Sequence, residues 1–211
     1  MTQAADTAKA LRALARRDPD LQRAIALCGP LPDRSRDGGL ATLMRIIVEQ
    51  QLSVASAKAI WGRVLAACEP FTAERFLKLR EPRLRKCGLS GPKIRYCREL
   101  ARATRNGSLD FTALETLPEA EAMEMLLAVK GIGRWTAEIY LMFALGRPDL
   151  WPAGDVALQA AVHHLKGLDA RPDHKQMDAI AEAWRPHRTT AARLMWRYYA
   201  VIKQSTKDLT P

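Results

Sequence analysis

The chain predicts an all-α protein. Apolar residues recur at the three-and-four spacing of an amphipathic helix, in Leu43, Met44, Ile47 and Val48 and again in Ile60, Trp61, Val64 and Leu65. No stretch alternates apolar and polar residues as a half-buried strand would. Glycine and proline fall at punctuating places, Gly29-Pro30, Gly38-Gly39, Gly91-Pro92 and Arg171-Pro172, and mark loops between helices.

Two breaks between helices carry further information. Glu49-Gln50-Gln51-Leu52-Ser53 separates two apolar-periodic runs, and Ser53 is placed to cap the second. Val129-Lys130-Gly131-Ile132-Gly133 separates another pair. There Thr116 and Glu119 have capping-box spacing with Pro118 in the first turn, and Gly146 followed by Pro148 closes the second helix. A Gly-x-Gly turn lets another backbone approach closely. The amides entering the helix at Arg134 then point outward, where the helix dipole favours an anion. By itself this pattern favours a plain helix-helix turn.

With 211 residues the chain can bury a sizeable core in one or two domains. Met1 to Arg12 lacks the apolar run of a signal peptide, and no stretch approaches the roughly 20 apolar residues that span a bilayer, so a cytoplasmic location with no membrane partner is expected. If the source is bacterial, that means association with the nucleoid. Cys28, Cys68, Cys87 and Cys97 match neither zinc nor iron-sulfur spacing and are expected as reduced, mostly buried thiols. Adjacent His163 and His164 point to different faces of one helix and do not form a metal pair.

Charge points to a polyanionic partner. The net charge is +10, and Arg75 to Arg105 holds 11 basic residues against two acids, a local net of +9. Asp110 to Asp155, by contrast, has a net of −5. Such asymmetry suits a face that meets a phosphate backbone, although a solvated arginine-rich surface would have the same composition.

LLAVKGIGRWTAEIYLMFALG followed by LWPAGDVALQ resembles the helix-hairpin-helix and aspartate signature of DNA glycosylases. The likeness continues in EQQLSVASAKAIW, GLSGPKIRYCREL and EAWRPHRTTAARLMWRYYA, which resemble the alkyladenine (AlkA-type, 3-methyladenine glycosylase II) branch, and it covers roughly residues 38 to 203. The resemblance implies a helix-hairpin-helix glycosylase fold of two helical lobes with the lesion held in a cleft. One lobe would be a six-helix barrel over 38–146; the other would combine 1–37 with 147–211. There is no room for the amino-terminal sheet domain of some relatives. It further implies a monomer acting on double-stranded DNA that contains alkylated bases, with no required cofactor. Carbonyls of Leu127, Val129 and Ile132 would hold a structural Na+ or K+ at the hairpin.

Asp155 is the implied catalytic group. Breaking the bond from sugar to base builds positive charge on the deoxyribose, which a carboxylate stabilises; at about 4 Å and an effective dielectric near 20 the gain is on the order of 4 kcal/mol. It could also orient or deprotonate the attacking water. Spacing alone makes Asp155 the N-cap of the helix beginning at Val156, and the two roles are compatible. Some relatives carry paired aspartates where this chain has Gly154. Glycosylases that also cut the strand use a lysine where Trp135 stands, so a lyase step is not expected.

Trp135, Tyr140, Ile139 and Trp196 occupy base-pocket positions, with Trp184 a neighbour. An electron-rich surface there would favour a cationic base by roughly 0.5–2 kcal/mol. Ile139 replaces a tyrosine of some relatives and implies a shifted substrate range. Trp61 and Trp184 read equally as core. Gln51 matches the wedge that fills the hole left by a flipped base, or else bonds locally in a helix break. Lys93 and Arg95 would steady the other strand. Gly131, Gly133 and Arg134 would meet phosphate, and Lys130 is a phosphate contact or a solvated charge. The alternatives in view are a bifunctional lyase acting on oxidised bases and a non-enzymatic helix-hairpin-helix DNA-binding module.

Overall fold

A computed structural model describes the backbone of residues 3–208 and the side chains of residues 5–204. The described residues form thirteen α-helices and one 3-10 turn, with no strand. Two compact units emerge: one comprises the segments ending at Arg34 and beginning at Arg147, and the other is Ser35–Gly146.

The first unit contains α1 (Gln3–Arg17), α2 (Pro19–Cys28), α11 (Val156–Lys166), α12 (His174–Ala181), a 3-10 turn (Glu182–Trp184) and α13 (Arg188–Asp208). Local chemistry sets the helix starts. Asp18 accepts from the amides of Asp20 and Leu21 ahead of Pro19, and Asp173 forms a capping box with Gln176. The α13 helix packs on α11, α2 and α1. Trp151 and Trp184 lie fully inside, edge to face with ring centres 5.0 Å apart. Asp18 is almost wholly buried and accepts from Lys166 Nζ at 2.7 Å and Trp184 Nε1 at 2.8 Å.

The second unit runs through α3 (Leu40–Glu49), α4 (Val54–Ala67), α5 (Ala73–Lys78), α6 (Glu81–Lys86), α7 (Gly91–Arg105), α8 (Phe111–Thr116), α9 (Glu119–Leu127) and α10 (Arg134–Phe143). These are eight segments where six were expected; α5, α6 and α8 span six residues each, too short for periodicity to resolve. At the centre, α10 buries seven consecutive residues from Thr136 to Met142, so it is enclosed on all sides. The buried row Leu43, Met44, Ile46, Ile47 and Val48 turns α3 toward α7, α4 and α10.

Ser53 caps α4 as expected, accepting from the Ser56 amide. The expected capping box at Thr116 does not form. Thr116 is the last residue of α8, its hydroxyl donates back to the Ala113 carbonyl, and Pro118 stands at the N-cap of α9, which has no side-chain cap. The helix ahead of Gly146 ends earlier than expected, at Phe143. All four cysteines are buried free thiols, and burial pushes Cys97 up to about 12. Among the described residues no helix is long and apolar enough to cross a membrane.

Candidate functional site

In the first unit, residues 147–155 form a loop pinned from α13. The Thr189 hydroxyl donates to the Arg147 carbonyl at 2.8 Å and accepts from the Leu150 amide at 3.0 Å. Arg188 and Arg185 both pair with Asp149. Farther along, the Ala153 amide donates to Trp151 O, the Asp155 amide to Pro152 O, and Gln159 Nε2 to Ala153 O. A loop held at so many points arrives at Asp155 with little freedom, so the carboxylate is fixed in place by the fold.

Asp155 is half-buried and caps α11. Three N–H groups converge on its Oδ1: the amides of Ala157 at 2.9 Å and Leu158 at 3.0 Å, and Trp196 Nε1 at 3.1 Å. The capping and the pairing with Trp196 thus coexist, and the tryptophan comes from α13, 41 positions away. Gly154 borders His174: a Cβ there would lie 3.0 Å from the imidazole Cε1.

The second unit holds the hairpin. Gly131 has φ +98°, and a Cβ on it would fall 2.3 Å from ring carbons of Tyr96, so only glycine lets that ring lie against the turn. Gly133 has an ordinary negative φ and serves as the N-cap of α10, where no side chain caps the helix. The need for glycine therefore rests on Gly131. Lys130 and Arg95 are exposed. Arg134 is half-exposed and is steered by the buried Glu138, 2.9 Å away.

Gln51 is exposed, with φ +55°. Lys93, expected at the other strand, is differently employed: its ammonium donates to Val48 O at 2.7 Å and Gln50 O at 2.8 Å, and burial lowers its pKa. Its ammonium is thus bonded to the backbone on either side of Glu49, next to Gln51.

One aromatic expectation is also corrected. Tyr140 is fully buried, its ring packs on Phe111, and its hydroxyl accepts from the Gly39 amide at 2.7 Å. Burial pushes that hydroxyl up. Tyr140 is a core residue that holds the start of α3 and has no face to offer a base. Trp184 is likewise core, tied to Asp18. Ile139 is buried, while Trp135 and Trp196 are partly exposed. His164 Nδ1 lies 2.8 Å from the Tyr198 hydroxyl, and no metal-binding cluster occurs among the described residues. Residues that the sequence did not single out are Gln50, whose Nε2 donates to Thr136 Oγ1 at 2.8 Å, and Tyr96, set one helical turn after Lys93.

A family model described as HhH-GPD superfamily base excision DNA repair protein matches residues 44–186. The DNA-3-methyladenine glycosylase 1 of Schizosaccharomyces pombe is 32% identical over 201 residues, 92% of this chain and 88% of the relative. The putative DNA-3-methyladenine glycosylase YfjP of Bacillus subtilis is 31% identical over 164 residues, 74% of this chain but 57% of the relative's length. The solved structure of S. pombe 3-methyladenine DNA glycosylase Mag1 in complex with abasic DNA superposes with a TM-score of 0.84 at 32% identity, covering 90% of this chain and 95% of that one.

Proposed function

Because the chain belongs to the HhH-GPD superfamily of base excision DNA repair proteins, in its alkylbase-glycosylase group, we propose that it hydrolyses the bond between deoxyribose and an alkylated, cationic base such as 3-methyladenine in duplex DNA. An intact abasic site is left. The observation that carries this is the Asp155 carboxylate, fixed by two backbone amides and the Trp196 indole at the end of a pinned loop.

A base that already carries positive charge leaves readily, so the enzyme's task shifts from protonating the leaving group to stabilising the sugar cation. A carboxylate held in place does this without reorganising during the reaction. The same group orients the water that attacks the anomeric carbon and accepts its proton, and the carbon–nitrogen electron pair departs with the base, which leaves neutral. Partly exposed Trp196, bonded to Asp155, supplies a π surface for the cationic ring. Trp135 stands where a lyase needs its amine, so no Schiff base forms.

DNA is the partner, met by a monomer. The hairpin amides after Gly133, together with Lys130, Arg134 and Arg95, take the backbone, and Gln51 fills the vacated stack. Leu127 ends α9, where carbonyls lack intrahelical donors and the dipole is negative. Its carbonyl, with those of Ile132 and of Val129, which also accepts from the Ile132 amide, would hold a Na+ or K+ and supply positive charge toward phosphate.

The test is Asp155→Asn on duplex DNA carrying radiolabelled methyl groups. Base release should vanish while DNA affinity is retained, and normal release would overturn the reading. Borohydride should trap no protein on DNA with the native chain.

A further inference from the structure

Among the described residues, Gln51 is the one non-glycine residue with positive φ. L-residues take that conformation at a cost, so something must hold it. Two tethers reach the adjoining backbone. Lys93 Nζ bonds Val48 O and Gln50 O, from 45 and 43 positions away. These lie at the C-terminal end of α3, where a cation suits both the unpartnered carbonyls and the dipole. The Gln50 side chain donates to Thr136 Oγ1, in the first turn of α10 beyond the hairpin. One helical turn after Lys93 on α7, Tyr96 lies against Gly131. The same face of α7 therefore holds both the Gln51 turn and the hairpin.

We propose that Lys93 is a positioning residue for base extrusion: through the Val48 and Gln50 carbonyls it locks the strained turn that presents Gln51 to the duplex, and together with the Gln50–Thr136 bond it fixes that turn's spacing from the hairpin. The proposal rests on the glycosylase reading above. It predicts that Lys93 acts through Gln51 and makes no phosphate contact.

The experiment uses the full chain and two readouts. One is single-turnover release of labelled bases from methylated duplex. The other is fluorescence of 2-aminopurine placed opposite a tetrahydrofuran abasic analogue, which reports wedge insertion without chemistry. Lys93→Met should slow release on the order of 100-fold, the scale of a misplacement near 1 Å, and abolish the fluorescence change at saturating protein. Affinity for undamaged duplex and its salt slope should stay unchanged, and Lys93→Arg should recover part of the signal. Lys93→Met combined with Gln51→Ala should be no slower than Gln51→Ala alone. Should Lys93→Met not fold, Gln50→Met cuts the second tether and should lose the same signal.

A full fluorescence change in the folded variants, or additive losses in the double variant, would overturn the proposal. So would a salt slope reduced by about 1, the mark of a lost phosphate contact. Release by the native chain with a Lys93→Met variant that matches it overturns this proposal alone. No release by the native chain overturns the glycosylase reading and this proposal with it.

Discussion

Trp196 donates its indole N–H to Asp155 Oδ1 at 3.1 Å, joining the middle of α13 to the first residue of the α11 cap. The amides of Ala157 and Leu158 would be satisfied by any capping carboxylate. The indole differs, since it comes from another helix and offers both an N–H to the carboxylate and a π face to its surroundings. Under the glycosylase function proposed above, a tryptophan so placed couples recognition of a cationic ring to the orientation of the Asp155 carboxylate.

Trp196→Phe keeps an aromatic face but removes the N–H. Hydrogen bonds to charged groups contribute about 1.5–3 kcal/mol, so release of methylated bases should slow roughly 10- to 100-fold. Affinity for undamaged duplex should change little. Single-turnover kinetics beside a binding titration check this, and equal losses in both would assign Trp196 to DNA binding alone.

Asparagine at position 155 still caps a helix, whereas alanine does not. Asp155→Ala should therefore lose about 1 kcal/mol of stability that Asp155→Asn retains, while both lose base release. Denaturant melts of the two variants separate the structural role of Asp155 from the chemical one.

Why some of this could be read in the sequence and some could not follows from the range of the interactions. Ser53 and Asp155 lie immediately before apolar-periodic helices, and capping is a contact of two or three residues, so both were legible. The all-helical class and the aspartate at the end of a proline-containing loop were legible for the same reason. Lys93 was not: within a basic run it counts as one more positive charge, and nothing nearby says that its ammonium reaches carbonyls more than 40 positions back. Tyr140 follows the hairpin at a pocket-like position, but α10 is buried all round, a fact set by α3 and α9 together with Phe111 of α8. Thr116 had the spacing of a capping box, yet the short α8 claimed it first.

Glycine substitutions should divide sharply. At Gly131 a methyl meets the Tyr96 ring at 2.3 Å on a backbone with φ +98°, so Gly131→Ala should cost on the order of 3 kcal/mol. Gly154→Ala meets the exposed His174 ring at 3.0 Å, which can swing aside, so the loss should stay below about 1 kcal/mol. Thermal melts of both variants, with Gly131→Ala/Tyr96→Ala recovering part of the larger loss, check the pair.

Acid stability should depend on Asp18. Burial by itself would raise its carboxyl, but hydrogen bonds from Lys166 and Trp184 outweigh that and leave the pKa below its ordinary 3.8. As pH falls the unfolded chain therefore takes up the proton first. The stabilisation is whole above the ordinary value and drains away as pH drops through the lower, folded one. Lys166 mirrors this: burial would lower its pKa, its bonds to Asp18 and Asp20 raise it above 10.5, and its contribution is whole below that value and lost as pH climbs through the folded pKa. Asp18→Asn keeps the cap on α2 and leaves Lys166 with Asp20 alone, so the cost at neutral pH should stay below the ~3–5 kcal/mol of a fully orphaned buried charge. Its stability curve should also flatten below pH 4 relative to the native chain. Denaturant unfolding at pH 7, 4 and 3 measures both effects, and curves that run parallel through the acid range would remove Asp18 from the account of acid unfolding.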